Sequence, residues 1–413
     1  RQSVVAAAQS LVNRFTALDS ELTTMSSEIG KRLQTAASQI NSYSSQISKL
    51  NDQIALQSGS GLTPNDLLDQ RDQLIRSLSE LTSVSLVNQP DGRVNVFLPS
   101  GDALVLGGQS TQLVVQRDAS DPDQFRLAAQ GAATGGVART IQSSIDLGGT
   151  VGGLMAVQAN IADTRNELGR LAISFGDAIN QQQALGQDLD GVQGVDMFNI
   201  ASPKAFPIST ATGSLNVSFA DTTALQASDY QLDYDGSQYT LTRKSDGVKS
   251  TFTSLPQTVD GMAISAGTAL AAGDSFIIQP TRAGAADLAL AFTDPDQVAA
   301  ADLSAASNAT GDNRNVLAMA ALANATLVSG KTIADANAQL MGKIGNAASS
   351  MDIEATANDR LLTQVTTQEQ SVSGVNLDEE AANLLRYQQA YQAAAKAIAI
   401  AGDVFNTILD IMR

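Results

Sequence analysis

The chain has 413 residues, 43% of them hydrophobic but only 4% aromatic, and a formal net charge of −17. It contains no Cys, His or Trp, which excludes disulfides and thiolate zinc sites and removes the commonest general base, triad partner and metal ligand. The acidic balance repels nucleic acid and anionic membranes, and no apolar run of about 18 residues is present to span a bilayer.

A structural role is therefore favoured over catalysis, and no cofactor is expected. The chain opens at Arg1, already inside a helical pattern, and reads as part of a longer protein whose N-terminal segment carries any targeting signal.

Residues 1–57 form one amphipathic pattern. Apolar or small residues recur in steps of four and three from Val4, Ala8, Leu11 and Phe15 to Ile47, Leu50 and Ile54. One stutter interrupts this heptad repeat, at Ile29–Leu33. The opposite face is Ser, Gln, Asn and Thr, the composition of a solvated helix side. Thr63-Pro64 predicts the start of a second helix, with Thr63 as N-cap and Pro64 in the first helical position.

Residues 1–83 thus read as a helical hairpin, and 84–147 as a small β subdomain of short alternating segments such as Val94–Phe97 and Leu104–Leu106. A helix returns within 148–204, after the glycines at 148–153. An inserted β domain occupies 205–285, with turns at Asp235-Gly236, Asp246-Gly247 and Gly273-Asp274. Residues 286–374 return to helix, with heptad positions including Met341, Ile344, Leu362 and Val365. The fold class is α+β, a coiled-coil-like helical rod with antiparallel β modules inserted into it. Helices at both ends of the chain are expected to lie side by side, because a lone heptad helix buries its stripe in no other way.

Residues 375–413 form the last helix. Asn376 is a candidate cap, and Asp378, Glu379 and Glu380 crowd the first turn, where the macrodipole favours anions. The stripe runs Leu377, Ala381, Leu384, Gln388, Tyr391, Ala395, Ile398, Gly402, Phe405, Leu409 and Met412. That is about 36 residues, or roughly 55 Å at 1.5 Å per residue. Gln388 is a polar group that sets register, and Gly402 costs about 1 kcal/mol unless a backbone approaches it closely. Periodicity alone leaves open a two-helix coiled coil within one molecule or a seam between subunits. Leu385, Ala394, Ile400, Val404, Ile408 and Ile411 widen the stripe and favour subunits.

The run Ser373-Gly374-Val375-Asn376-Leu377-Asp378-Glu379-Glu380, continuing through Tyr387-Gln388-Gln389-Ala390-Tyr391 to Lys396, resembles the C-terminal signature of flagellar axial proteins. It is most similar to that of the hook-associated protein 1 family. Leu147–Leu154, Ala178-Ile179-Asn180 with Gly186–Gly191 and Met197-Phe198, and Gly273–Thr281 agree. The resemblance implies a subunit of the hook–filament junction, exported unfolded by the type III route and located outside the cell. It implies as partners further copies in a ring, the hook protein, the second junction protein and an export chaperone. It also implies that an N-terminal helix, together with neighbouring subunits, covers the last helix in an inner tube. Other axial proteins, of the filament or hook, and a surface adhesin with β domains on a stalk remain alternatives.

Rival signals are weaker. Asp188-Leu189-Asp190-Gly191 with Asp196 lacks the third ligand and terminal Glu of a calcium loop and reads as a turn. The glycines at 148–153 lack Gly-Lys-Ser/Thr and read as a flexible approach to a helix. Asp121/Asp123 and Asp294/Asp296 flank prolines and read as solvated turns, not as paired catalytic carboxylates.

Overall fold

The structure, a computed structural model, describes residues 1–59, 64–118, 121–131, 138–141, 147–208, 211–305, 311–373 and 377–411, with side chains omitted at 372, 373, 377–379 and 400–411. It is α+β and divides into two compact units, Arg1–Ile344 and Gly345–Arg413.

In the first unit, α1 (Gln2–Ser58) is a single helix. Its stripe buries Ala8, Ile29, Leu33, Ala36, Ile40, Ile47 and Ile54, whereas Leu18 and Met25 stay exposed. Each large aliphatic group taken out of water contributes about 1.5–3 kcal/mol. The polar face is not uniformly solvated, although its composition predicts a solvated helix side. Asp19, Ser26, Ser44, Ser48 and Asn51 are buried, because β segments and a third helix pack on that side. Helix α2 (Asn65–Leu81) follows, with Pro64 itself in the N-cap position and no side-chain cap. The predicted cap, Thr63, lies outside the described residues.

Two antiparallel sheets lean on these helices. One is a four-stranded meander of 85–88, 94–97, 103–106 and 109–110, and the other joins 112–118, 121–130 and 139–140. The second corrects the reading of Asp121 as a solvated turn. Asp121 opens the strand Asp121–Gln130 and is buried, and Asp123 accepts a hydrogen bond from Arg165 at 2.6 Å. Asp294, by contrast, caps an exposed 3-10 turn, as expected.

Helix α3 (Gly149–Gln183) begins where Gly148 and Gly149 take φ of 61° and 56°, the left-handed region that glycine tolerates best. A Cβ on Gly149 would lie 2.7 Å from the backbone of Leu81. These glycines give a fixed crossing of two backbones, where the sequence reads as a flexible approach. Beyond them α3 is buried nearly all round, including Gln158, Arg165, Asn166, Arg170, Asn180 and Gln183.

Buried polar groups demand partners, and here carboxamides on helices read the backbone of non-helical segments. Asn41 bonds Leu113 N and O (2.7 and 2.8 Å). Asn51 bonds Val94 N and O and Gly107 O, and Gln158 bonds Phe125 N and O. Asn180 bonds Met197 N and both backbone groups of Phe198.

The inserted β region is a sandwich. Its five-stranded sheet has the order 204–207, 275–279, 230–234, 239–243, 249–252, and faces a three-stranded sheet of 214–219, 262–268 and 257–259. Antiparallel register sets Leu232 opposite Leu241 and Tyr230 opposite Ile278. These four residues pack with Leu225, Met262, Ile264 and Ile173 of α3.

The sandwich meets α3 so closely that a Cβ on Gly169 would lie 1.7 Å from Thr281 O. A polar seam accompanies the contact. Asn166 bonds Asp229 (3.1 Å) and Thr281 (2.9 Å). Arg282 bonds Asp229, and its Nη1 lies 3.5 Å from Asp121 Oδ2.

After α4 (Arg314–Ala321), helix α5 (Ile333–Ser373) begins in the first unit and continues into the second. Its first turns bury Ala336 and Leu340 on a cluster with Leu171, Leu327 and Val328. The second unit also contains α6 (Leu377–Ile411).

Candidate assembly interface

The described apolar side chains of the second unit are largely exposed. A regular helix puts Ala381, Leu384, Gln388, Tyr391, Ala395 and Ile398 on one face of α6. Leu384, Tyr391 and Ile398 are 68%, 77% and 74% exposed, and Ala381, Gln388 and Ala395 are also exposed. Leu377, Gly402, Phe405 and Leu409 fall within the same helix, and Met412 and the candidate cap Asn376 lie outside the described residues. The exposed band also includes Leu385 and Tyr387. Tyr387 was not anticipated, because it sits beside the four-three stripe; the Tyr387/Tyr391 spacing of one helical turn is the signal that marks it.

On α5, Leu362 and Val365 of the expected heptad are exposed, as are Ile353 and Leu361 outside it. Exposed large apolar side chains on both helices make them the candidate interaction face.

A second apolar surface lies within the first unit. The first turns of α1, the end of α3 and α4 enclose an open groove of about 440 Å³, lined by Val4, Ala7, Leu11, Phe175, Ile179 and Met319 among others. Leu11 and Phe175 are shared with a neighbouring groove of about 440 Å³ that includes Phe15, Leu18, Leu168 and Ile333. Neither groove brings together a nucleophile and a base. Asp188, in the segment resembling a calcium loop, spends Oδ1 on the amides of Asp190 (2.9 Å) and Val192 (2.8 Å). Among the described residues no group of three or more acidic side chains is placed to hold a metal ion. No described helix is long and apolar enough to cross a membrane.

Long helices, antiparallel β modules between them and a terminal helix whose described apolar side chains are exposed are the build of a structural protein. Comparison with known proteins specifies which. Residues 1–198 match the family model for the helical domain of flagellar hook-associated protein FlgK, and 208–280 match a D2-like domain of flagellar hook-associated protein 1. Residues 368–411 match the C-terminal segment of the flagellar basal body rod FlgEFG proteins.

Flagellar hook-associated protein 1 of Salmonella typhimurium is 36% identical over 100% of this chain and 76% of its own length. The Escherichia coli protein is 32% identical over 86% of this chain and 65% of its own. The structure of the flagellar hook junction protein FlgK from Burkholderia pseudomallei superposes with a TM-score of 0.82 at 28% identity, covering 90% of each chain. The chain belongs to the flagellar hook-associated protein 1 family, whose members are structural proteins of the flagellum.

Proposed function

We propose that this chain is a structural subunit joining hook to filament by helix packing, with no bond made or broken. The observation that carries this reading is the uncovered apolar stripe on α6 in a member of this family. Leu377, Ala381, Leu384, Gln388, Tyr391, Ala395, Ile398, Gly402, Phe405, Leu409 and Met412 form the assembly face. Its cover is a helix from an N-terminal segment together with neighbouring subunits in an inner tube, which accounts for a stripe wider than a two-stranded seam.

Residues 375–413 act as the axial helix, 1–83, 148–204 and 286–374 as helical rod segments, and 84–147 and 205–285 as inserted β modules. The subunit is exported to the outside of the cell with the help of a chaperone. It forms a ring with further copies and contacts the hook protein on one side and the second junction protein on the other. Deleting the gene tests this: detached filaments and non-motile cells are expected, and motile cells with attached filaments would contradict it.

A further inference from the structure

The seam between the β sandwich and the rod holds more carboxylates than cations. Arg165 serves Asp19 (2.9 Å) and Asp123 (2.6 Å), and Arg282 serves Asp229 and, at 3.5 Å, Asp121. Asp19, Asp121, Asp229 and both arginines are buried. Asp123 is partly open to solvent, so with all carboxylates ionised the three buried ones, Asp19, Asp121 and Asp229, face two buried arginines and leave one negative charge over in a place that water screens poorly.

Asp121 is the least securely held of the four. Its Oδ1 has no hydrogen-bond partner among the described residues, and Arg282 already bonds Asp229. The groups that face it are Arg282, Asp229 and Gln279 from the sandwich and its stem, and Asp123 from its own strand. Arg165 and Asp19 stand behind Asp123.

We propose that this seam is a proton-sensitive joint, in which uptake of one proton by Asp121 cancels the excess charge and seats the β sandwich more firmly on α3 and the strand Asp121–Gln130. Burial, opposed by the attraction of Arg282 and the nearby Gln279 amide and reinforced by Asp229 and Asp123, holds the Asp121 carboxyl above the usual carboxylate range. The folded chain therefore binds this proton more tightly than the unfolded one. The stabilisation is complete below the unfolded value and is lost as pH rises through the folded value. Asp235, Asp246 and Asp274 are shifted downward by hydrogen bonds and act in the opposite sense at lower pH, so the two effects separate.

The test is amide hydrogen exchange of the full chain between about pH 7.5 and about pH 4.5, corrected for intrinsic rates, across residues 227–231 and 279–285. The wild-type seam is expected to exchange more slowly as pH falls, by about tenfold for each unit separating the folded and unfolded values. Asp121→Asn is expected to hold the low-pH protection throughout, with no pH response of its own. Asp229→Asn, which strips Arg282 of its closer partner, is expected to lose protection at every pH. The proposal is overturned if Asp121→Asn keeps the wild-type pH response or is less protected than wild type at pH 7.5. It is equally overturned if Asp229→Asn, which removes a repelling carboxylate and frees Arg282 for Asp121, leaves the wild-type pH response undiminished.

Discussion

The Asn51 carboxamide is buried and makes three hydrogen bonds to the backbone of Val94 and Gly107. Truncation leaves those backbone groups unpaired, so Asn51→Ala should destabilise the chain by about 2–3 kcal/mol. Urea unfolding checks this, and a loss near zero would mean that water replaces the amide. Arg165→Met should cost more, about 3–5 kcal/mol, because it strands the buried Asp19 without its cation. Neither role was legible beforehand. Asn51 sits on a helix face of Ser and Gln that reads as solvated, and nothing local to Asp19 reveals its arginine 146 residues away in the sequence, at Arg165. Side-chain identity declares a need for partners; only the tertiary fold supplies them.

Among the elements, the helices and hairpins were the readable part. Four-three spacing carries α1 and α6, and the Asp-Gly turns mark the sandwich. Close approaches between elements leave a fainter trace. Gly169 lies mid-helix with ordinary helical backbone, so its contact with Thr281 O is invisible to any turn argument. Gly169→Ala should push the sandwich stem off α3 and lower stability by about 1–3 kcal/mol, seen as a drop in Tm with increased proteolysis near 280. An unchanged Tm would show that the contact relaxes freely. The turns of the sandwich also predict an acid response. Asp274 accepts hydrogen bonds from Thr212 N, Gly213 N and Ala271 N, led by Thr212 in holding it below the ordinary 3.8. Its stabilisation is present above that value and is lost as pH falls through the depressed one. Asp274→Asn should flatten the stability–pH curve below about pH 4, and an unaltered slope in scanning calorimetry would refute this.

For the whole molecule, the C-terminal signature and the lack of His and Cys pointed to a structural role, and the family comparisons agree with that signature from end to end. The burial of α3 on nearly all sides was not readable, because its visible apolar stripe covers only one face and the rest is polar groups matched at long range. The distinction sets the final prediction. The first unit has buried cores of its own, whereas the described apolar side chains of α6 are exposed. An acidic group on that face should therefore leave folding intact and abolish assembly. The most direct measurement is incorporation of Tyr391→Asp and Ile398→Asp proteins into flagella, by immunogold microscopy of cells carrying only the variant, beside calorimetry of the purified chain. Wild-type unfolding with no labelled junction and shed filaments is the predicted result; normal incorporation of either variant would contradict the account.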